Sequence, residues 1–64
     1  MTSELLHLEE VSEMTRIPVP SLRFYRHNGT GPRSFRLGNR IVYKRADVEA
    51  WIEERYNADA QRSA

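Results

Sequence analysis

Apolar residues recur at helical spacing early in the chain. Leu8, Val11 and Met14, with Ile17 beyond, share one side, while Glu9, Glu10 and Glu13 take the other. This predicts a first helix from about Leu8 to Met14, led in by the apolar Leu5 and Leu6. Glu9 and Glu10 suit the positive end of its dipole, and His7 stands where Ser or Thr would cap more strongly. Thr15, Arg16 and Ile17 form a short turn closed by Pro18. A second helix is predicted from Pro18 to His27, since proline is tolerated in a first helical turn. Leu22 and Tyr25, three apart, face its core side; Pro20, Arg23, Phe24 and His27 fall opposite, with Arg26 on the flank. Asn28-Gly29-Thr30-Gly31-Pro32 stops it. Two strands follow, Ser34 to Leu37 and Arg40 to Lys44, joined by Gly38-Asn39 in the manner of a hairpin. Alternation puts Ile41 and Tyr43 inward and Arg40, Val42 and Lys44 outward, which leaves both cations in solvent. The third helix is predicted from Arg45 to Tyr56, with Val48, Trp51, Ile52 and Tyr56 on one stripe toward the core. Residues 57–64 are small and polar and are expected to fray.

The order is therefore helix-helix-strand-strand-helix, mainly α with a small β-hairpin, in one domain over 1–64 with an ordered core of about 5–56. A chain of 64 residues buries only about 60% of its unfolded surface, so its core is thin. It has no cysteine to staple it, which fits a reducing cytoplasm. No apolar run nears the roughly 20 residues of a membrane span. Met1 to Leu8 holds Glu4 and no basic charge, which argues against a signal peptide.

Charge changes the picture more than composition does. The net charge is only +1. Yet no Asp or Glu occurs from Arg16 to Ala46, a stretch that holds Arg16, Arg23, Arg26, Arg33, Arg36, Arg40, Lys44 and Arg45. Opposite charges intersperse on an ordinary solvated surface. Segregation this complete predicts that the middle of the chain faces a polyanion, nucleic acid first of all. Two short helices joined by a tight turn, then a basic hairpin and a packing helix, make a winged helix-turn-helix. Its second helix fits the major groove, where base edges carry distinct donor and acceptor patterns. A hairpin tipped by Gly38-Asn39 and flanked by Arg36 and Arg40 can approach a phosphate or a narrow minor groove.

The segments Leu8-Glu9-Glu10-Val11, Ile17-Pro18-Val19-Pro20-Ser21-Leu22-Arg23-Phe24-Tyr25-Arg26 and Gly29-Thr30-Gly31-Pro32 carry a family resemblance. So does the run from Leu37 to Ile52. In their order and spacing, over about Leu5 to Tyr56, they resemble the small excisionase/AlpA group of MerR-like winged-helix proteins. The chain departs from the common pattern in the crowding of Pro18 and Pro20 and in His7 at the first cap. The resemblance implies DNA binding by the second helix, aided by the wing. It also implies, for excisionase members, binding and bending of a phage attachment site, promotion of integrase-mediated excision and inhibition of integration. Other members of the group are transcriptional regulators. Partners implied are double-stranded DNA, a phage integrase and further copies of the chain along the DNA, in the bacterial cytoplasm. Neither a membrane nor a small-molecule ligand is expected. The chain stops soon after the third helix, without the long dimerising helix of full-length MerR regulators, which favours an architectural role.

Candidate DNA-contacting residues follow from type and position. Arg23 is the candidate for guanine, the commonest specific pairing of arginine. Ser21 is expected on a phosphate, Arg16 and Arg26 as backbone clamps, and His27 as a surface or phosphate contact. Phe24 faces a thymine methyl or packs against the wing or Leu5, and Pro20 lies on the same face. Arg36, Gly38, Asn39, Arg40 and Lys44 are the wing candidates. Trp51 and Tyr43 are assigned to the core. No catalytic residue, cofactor or metal is expected: no nucleophile stands with a base, no phosphate loop is present, and neither histidine has a ligand set. A protein-interaction module, with the basic face docked on an acidic protein, is the contrasting reading.

Overall fold

The computed structural model describes residues 4–63; Met1, Thr2, Ser3 and Ala64 lie outside the described residues. Its elements are β1 (Leu5–His7), α1 (Leu8–Thr15), α2 (Val19–His27), β2 (Phe35–Leu37), β3 (Arg40–Lys44) and α3 (Arg45–Ser63). Three helices and a hairpin stand as expected, a winged helix-turn-helix. The periodicity missed β1, a strand of three residues. It pairs antiparallel with β3, and the hairpin strand β2 pairs with β3 on the other edge, so β3 is the middle of a three-stranded sheet. The registers are Leu5 with Lys44, Leu6 with Tyr43 and His7 with Val42 on one side, and Phe35 with Val42, Arg36 with Ile41 and Leu37 with Arg40 on the other.

This extra strand overturns the expected exposure of Val42, though not the face assigned to it. Val42 is buried because β1 and β2 flank it with His7 and Phe35 on the same face, and cross-strand neighbours cover a central residue on both sides. Tyr43 is buried as expected. It joins Leu6, Val11, Leu22 and Val48 in the core, with Leu8, Met14, Ile17, Tyr25 and Ile41 packed around them. The stripe on α3 enters this core only at its start. Val48 is buried and Trp51 is half-buried against Tyr25, ring centroids 6.3 Å apart. Ile52 and Tyr56, expected inward, are exposed at 36% and 67%; the flank of α3 that meets α2 and its loop carries Trp51 and Arg55 instead, which share a cleft with Tyr25, Thr30 and Gly31. The helix itself continues to Ser63, beyond the Tyr56 that the apolar stripe predicts. Residues 57–60 are exposed, and helix formers such as Ala58 and Ala60 favour continuation of the backbone there.

Local chemistry explains the joints. The Glu10 carboxylate accepts the His7 backbone N–H at 2.7 Å, which ties down the start of α1 without a Ser or Thr cap. In the turn between α1 and α2 the Thr15 hydroxyl donates to the Val11 carbonyl at 2.7 Å and accepts the Ile17 N–H at 3.3 Å. Ser12 donates to the Ile17 carbonyl at 2.6 Å. Arg16, between them, is held at φ 64°, a left-handed conformation costly for a residue with a Cβ. At the start of α2, Pro18 and Pro20 remove two of the N–H groups that would lack helical partners. The Ser21 and Leu22 N–H groups turn back to the Pro18 carbonyl, so the helix begins without a side-chain cap.

The end of α2 is closed more firmly. The Thr30 N–H reaches the Tyr25 carbonyl at 2.8 Å and the Gly29 N–H reaches the Arg26 carbonyl at 3.2 Å, a Schellman closure with Gly29 at φ 73°. Gly31 follows at φ 80°, pressed against Tyr25 so that an added Cβ would stand 2.9 Å from the Tyr25 Cβ. Gly38, at φ 64° in the hairpin loop, has open space around it. It alone in the two-residue loop has positive φ, the pattern of a type II′ turn.

Gly31→Ala should destabilise the fold by about 2 kcal/mol, from its left-handed backbone and from the clash with Tyr25. Gly38→Ala, which meets only the backbone penalty, should cost about half of that. Urea denaturation of the two variants beside the parent checks the order; equal losses would mean that the loop yields at Tyr25.

Candidate nucleic-acid interface

α2 presents the face that the helical spacing predicts. Leu22 is buried and Tyr25 half-buried toward the core, while Pro20, Arg23, Phe24, Arg26 and His27 are exposed. Ser21 is half-buried near the start of the helix. Phe24 is 62% exposed and its ring touches only the edge of the core, 6.4 Å from Tyr25 between centroids. Such exposure leaves the ring available for a groove contact, whereas packing against Leu5 or the wing would have buried it. Arg26 and His27, in the last turn, sit at the negative end of the helix dipole. Arg16, in the turn before α2, is exposed. Arg16, Arg23, Arg26 and His27 thus belong to one helix-turn-helix unit, stitched by the bonds of Ser12 and Thr15.

The wing residues do not form one group. Alternation along the paired strands puts Arg36 on the side of the sheet that carries Ile41, Tyr43 and Leu6, the side the helices cover. Arg40 and Lys44 lie on the opposite side with Leu5, His7, Phe35, Leu37 and Val42. Arg40, with Asn39, lines a shallow cleft shared with His7, Leu8 and Glu9 at the start of α1. Lys44 lines another with Arg33, Phe35 and Asp47. Gly38 and Asn39 are exposed at the tip. Among the wing candidates, Arg36 is the cation on the side of α2.

Arg45 leaves the basic group altogether. Its guanidinium meets Glu4 at 3.0 Å and Glu49 at 3.4 Å, and its backbone N–H reaches the Glu4 carbonyl at 2.7 Å. Three acids gather nearby: Glu4, Glu10 and Glu13 line one cleft with Leu6, Met14 and Arg45.

Between α2 and β2 the structure adds residues that sequence reasoning did not single out. Arg26, Gly29, Thr30, Gly31, Pro32, Arg33 and Ser34 line a cleft with no acidic residue in its walls. Arg33 could have been found from its place directly after the Gly-Pro stop, and Ser34 from its period-two relation to Arg36. Beneath the loop lies the Tyr43 phenol. Burial pushes its pKa above the ordinary value; the charge of Arg26 and the side chain of Ser34 pull the other way.

Among the described residues no group of three or more His, Asp or Glu is placed to hold a metal ion. No described helix is long and apolar enough to cross a membrane. No curated protein and no solved structure matches the chain significantly. Residues 5–56, from the first strand to the exposed end of the α3 stripe, match the family described as a helix-turn-helix domain. With α2 offering an exposed basic face behind a tight turn, the chain belongs to that family of DNA-binding helix-turn-helix domains.

Proposed function

We propose that the protein is an excisionase: a non-enzymatic, sequence-specific DNA binder that bends a phage attachment site, promotes integrase-mediated excision and inhibits integration. The observation that carries DNA as the target is the division of charge along the fold. Every charged residue of the turn, α2, the loop and the wing is basic. The excisionase role is carried by the resemblance of the segments from Leu8 to Ile52, and the site of action is then the bacterial cytoplasm.

The roles divide as groove geometry requires. Arg23 reads a base edge, with Phe24 and Pro20 beside it. Ser21, Arg16, Arg26 and His27 hold the backbone. Arg36 follows α2 onto the same duplex, and Gly38-Asn39 bring the hairpin tip close. Arg40 and Lys44, on the outer side of the sheet, serve a neighbouring phosphate or a neighbouring molecule. The acidic cleft of Glu4, Glu10 and Glu13 offers such a molecule a surface of the opposite sign. Copies would then stand side by side along the site, basic wing to acidic helix. One module of this size buries roughly 600–1,000 Å² on DNA, too little for a long site, which also favours several copies.

The functional test is recombination in vitro with the cognate integrase, scored for excision and integration with and without the protein. Stimulated excision with suppressed integration is the expected result. DNA binding without effect on either reaction would turn the reading to a small AlpA-type transcriptional regulator.

Binding should weaken steeply with salt. For about five phosphate contacts, log K should fall against log salt with a slope near −4.5; a slope near zero by fluorescence anisotropy would remove the electrostatic premise. Arg23→Ala should lose about 1–3 kcal/mol of discrimination between the preferred site and a mismatched one. Arg36→Ala should instead weaken all sequences alike and reduce the slope by about one. The same loss profile for both variants would undo this division of roles.

A further inference from the structure

The Tyr43 hydroxyl is anomalous in this fold. The residue is 1% exposed, and its Oη closes no hydrogen bond of good geometry, although the Ser34 side chain is near enough to act on it. A buried polar atom ordinarily finds one, and leaving it unpaired costs stability. The position demands an aromatic ring, since Tyr43 is the largest of the fully buried side chains and pairs with Leu6 in the sheet. It does not demand a hydroxyl, because phenylalanine fills the same space.

What lies over that hydroxyl gives it a use. Ser34 and Arg26 are close enough to act on its titration, and both line the cleft between the end of α2 and the start of β2. Ser34 precedes β2 directly, one step beyond the Phe35–Val42 pair, so it extends the ladder toward Tyr43. The Ser34 side chain is near enough to act on the phenol as a hydrogen-bonding group, although no bond of good geometry closes between them, and Ser34 is half-buried where it lines the cleft. The cleft encloses about 370 Å³ and is walled by two arginines and no acid; Asp47 lies beyond Arg33, in the neighbouring cleft with Lys44. Its floor is already rigid. The Thr30 hydroxyl is spent on the Tyr25 carbonyl at 3.2 Å, the Schellman bonds close the helix, and Gly31 is wedged on Tyr25. A tetrahedral anion with several acceptor oxygens suits a pair of guanidinium groups and a hydroxyl held in this way.

We propose that this cleft is a built site for one phosphodiester of the DNA backbone, gripped by Arg26, Arg33 and Ser34, with Tyr43 as the positioning residue for Ser34. When the Ser34 hydroxyl donates to a phosphate oxygen, its own oxygen turns toward Tyr43 and accepts the hydrogen bond that the Tyr43 O–H donates. The hydroxyl, which closes no bond of good geometry in the free protein, is thereby held in one by the bound phosphate. The free protein carries the cost and the bound protein recovers it, which makes the site selective for the bound state. The proposal rests on the DNA-binding reading above and adds Arg33, Ser34 and Tyr43 to the residues that carry it.

Tyr43→Phe separates the two states. The free variant should melt at the same temperature as the parent or higher, because an unpaired hydroxyl has gone. Its affinity for DNA should nevertheless fall roughly five-fold, the worth of one hydrogen bond of about 1 kcal/mol. Ser34→Ala should show the same loss, and the double variant should lose no more than either single one. Duplexes with one neutral methylphosphonate at each position in turn locate the contact. At one phosphate the parent should weaken while Tyr43→Phe and Ser34→Ala weaken no further. Parent-like affinity of Tyr43→Phe and Ser34→Ala, or additive losses at every methylphosphonate position, would overturn the cleft while leaving DNA binding in place. Loss of DNA binding by the parent itself would instead sink the reading beneath it. Inorganic phosphate, compared with chloride at equal ionic strength, distinguishes the source of the anion. No added thermal stabilisation of the parent is expected. A saturable stabilisation that Ser34→Ala abolishes, with DNA affinity unchanged in that variant, would make the cleft a site for free phosphate instead and overturn the proposal.

Discussion

Tyr43 and the strand that carries it hold this small molecule together. β3 is hydrogen-bonded on both edges, and Tyr43 drives its ring from the middle of the sheet into Leu6, Val11, Leu22 and Val48. Those four residues come from β1, α1, α2 and α3 in turn. Four of the other five elements therefore meet at one aromatic side chain. In a chain with so few buried residues, dispersion contacts gathered at one ring do work that a larger domain spreads over many. The orientation of α2 follows from the same contact, because Leu22 is the residue that α2 buries. The direction in which Arg23 and Phe24 point is then set by a residue on the opposite side of the molecule.

Much of this was legible from residue spacing. The turn at Arg16, the basic outer face of α2, the Gly-rich stop and the hairpin around Gly38 all stand where the pattern puts them. Each rests on local chemistry that a single chain carries in full: a 3.6-residue period, a glycine at positive φ, a two-residue loop. What spacing cannot supply is pairing at a distance. Leu5-Leu6-His7 is too short to show a period, and its strand character comes from the edge of β3 some forty positions on. The burial of Val42 escapes the spacing for the same reason, since His7 and Phe35 confer it from either side. The stripe on α3 fails in the opposite way. Val48, Trp51, Ile52 and Tyr56 have the right period, but a period says which residues share a face and not how much of that face finds a neighbour.

The candidate interface shows the same division. The exposure of Arg23 and Arg26 on the outer face of α2 could be read from the helix alone. Grouping Arg36 with Arg40 and Lys44 could not survive the sheet, because successive residues of a strand point to opposite sides and only Arg36 shares the side of α2. Arg45 illustrates how charge counts mislead. It belongs by position to the basic run, yet Glu4 and Glu49 occupy it, so the polyanion-facing charge is smaller than the tally of cations. Exposed pairs of this kind add little stability. Here the more telling bond is the backbone one from Arg45 to the Glu4 carbonyl, which continues the β1–β3 ladder into the start of α3.

That ladder also dictates the order in which the molecule can be made. Leu5 pairs with Lys44, so the first strand to leave the ribosome waits for one of the last parts of the core. The helix-turn-helix between them is complete in sequence well before, yet Tyr43 and Val48 are still missing from its interior. Closing so long a loop early gains nothing until β3 exists to reward it. The DNA-binding unit is thus not an autonomous module that the wing later decorates. Its interior is complete only when the central strand draws β1 and the start of α3 onto itself.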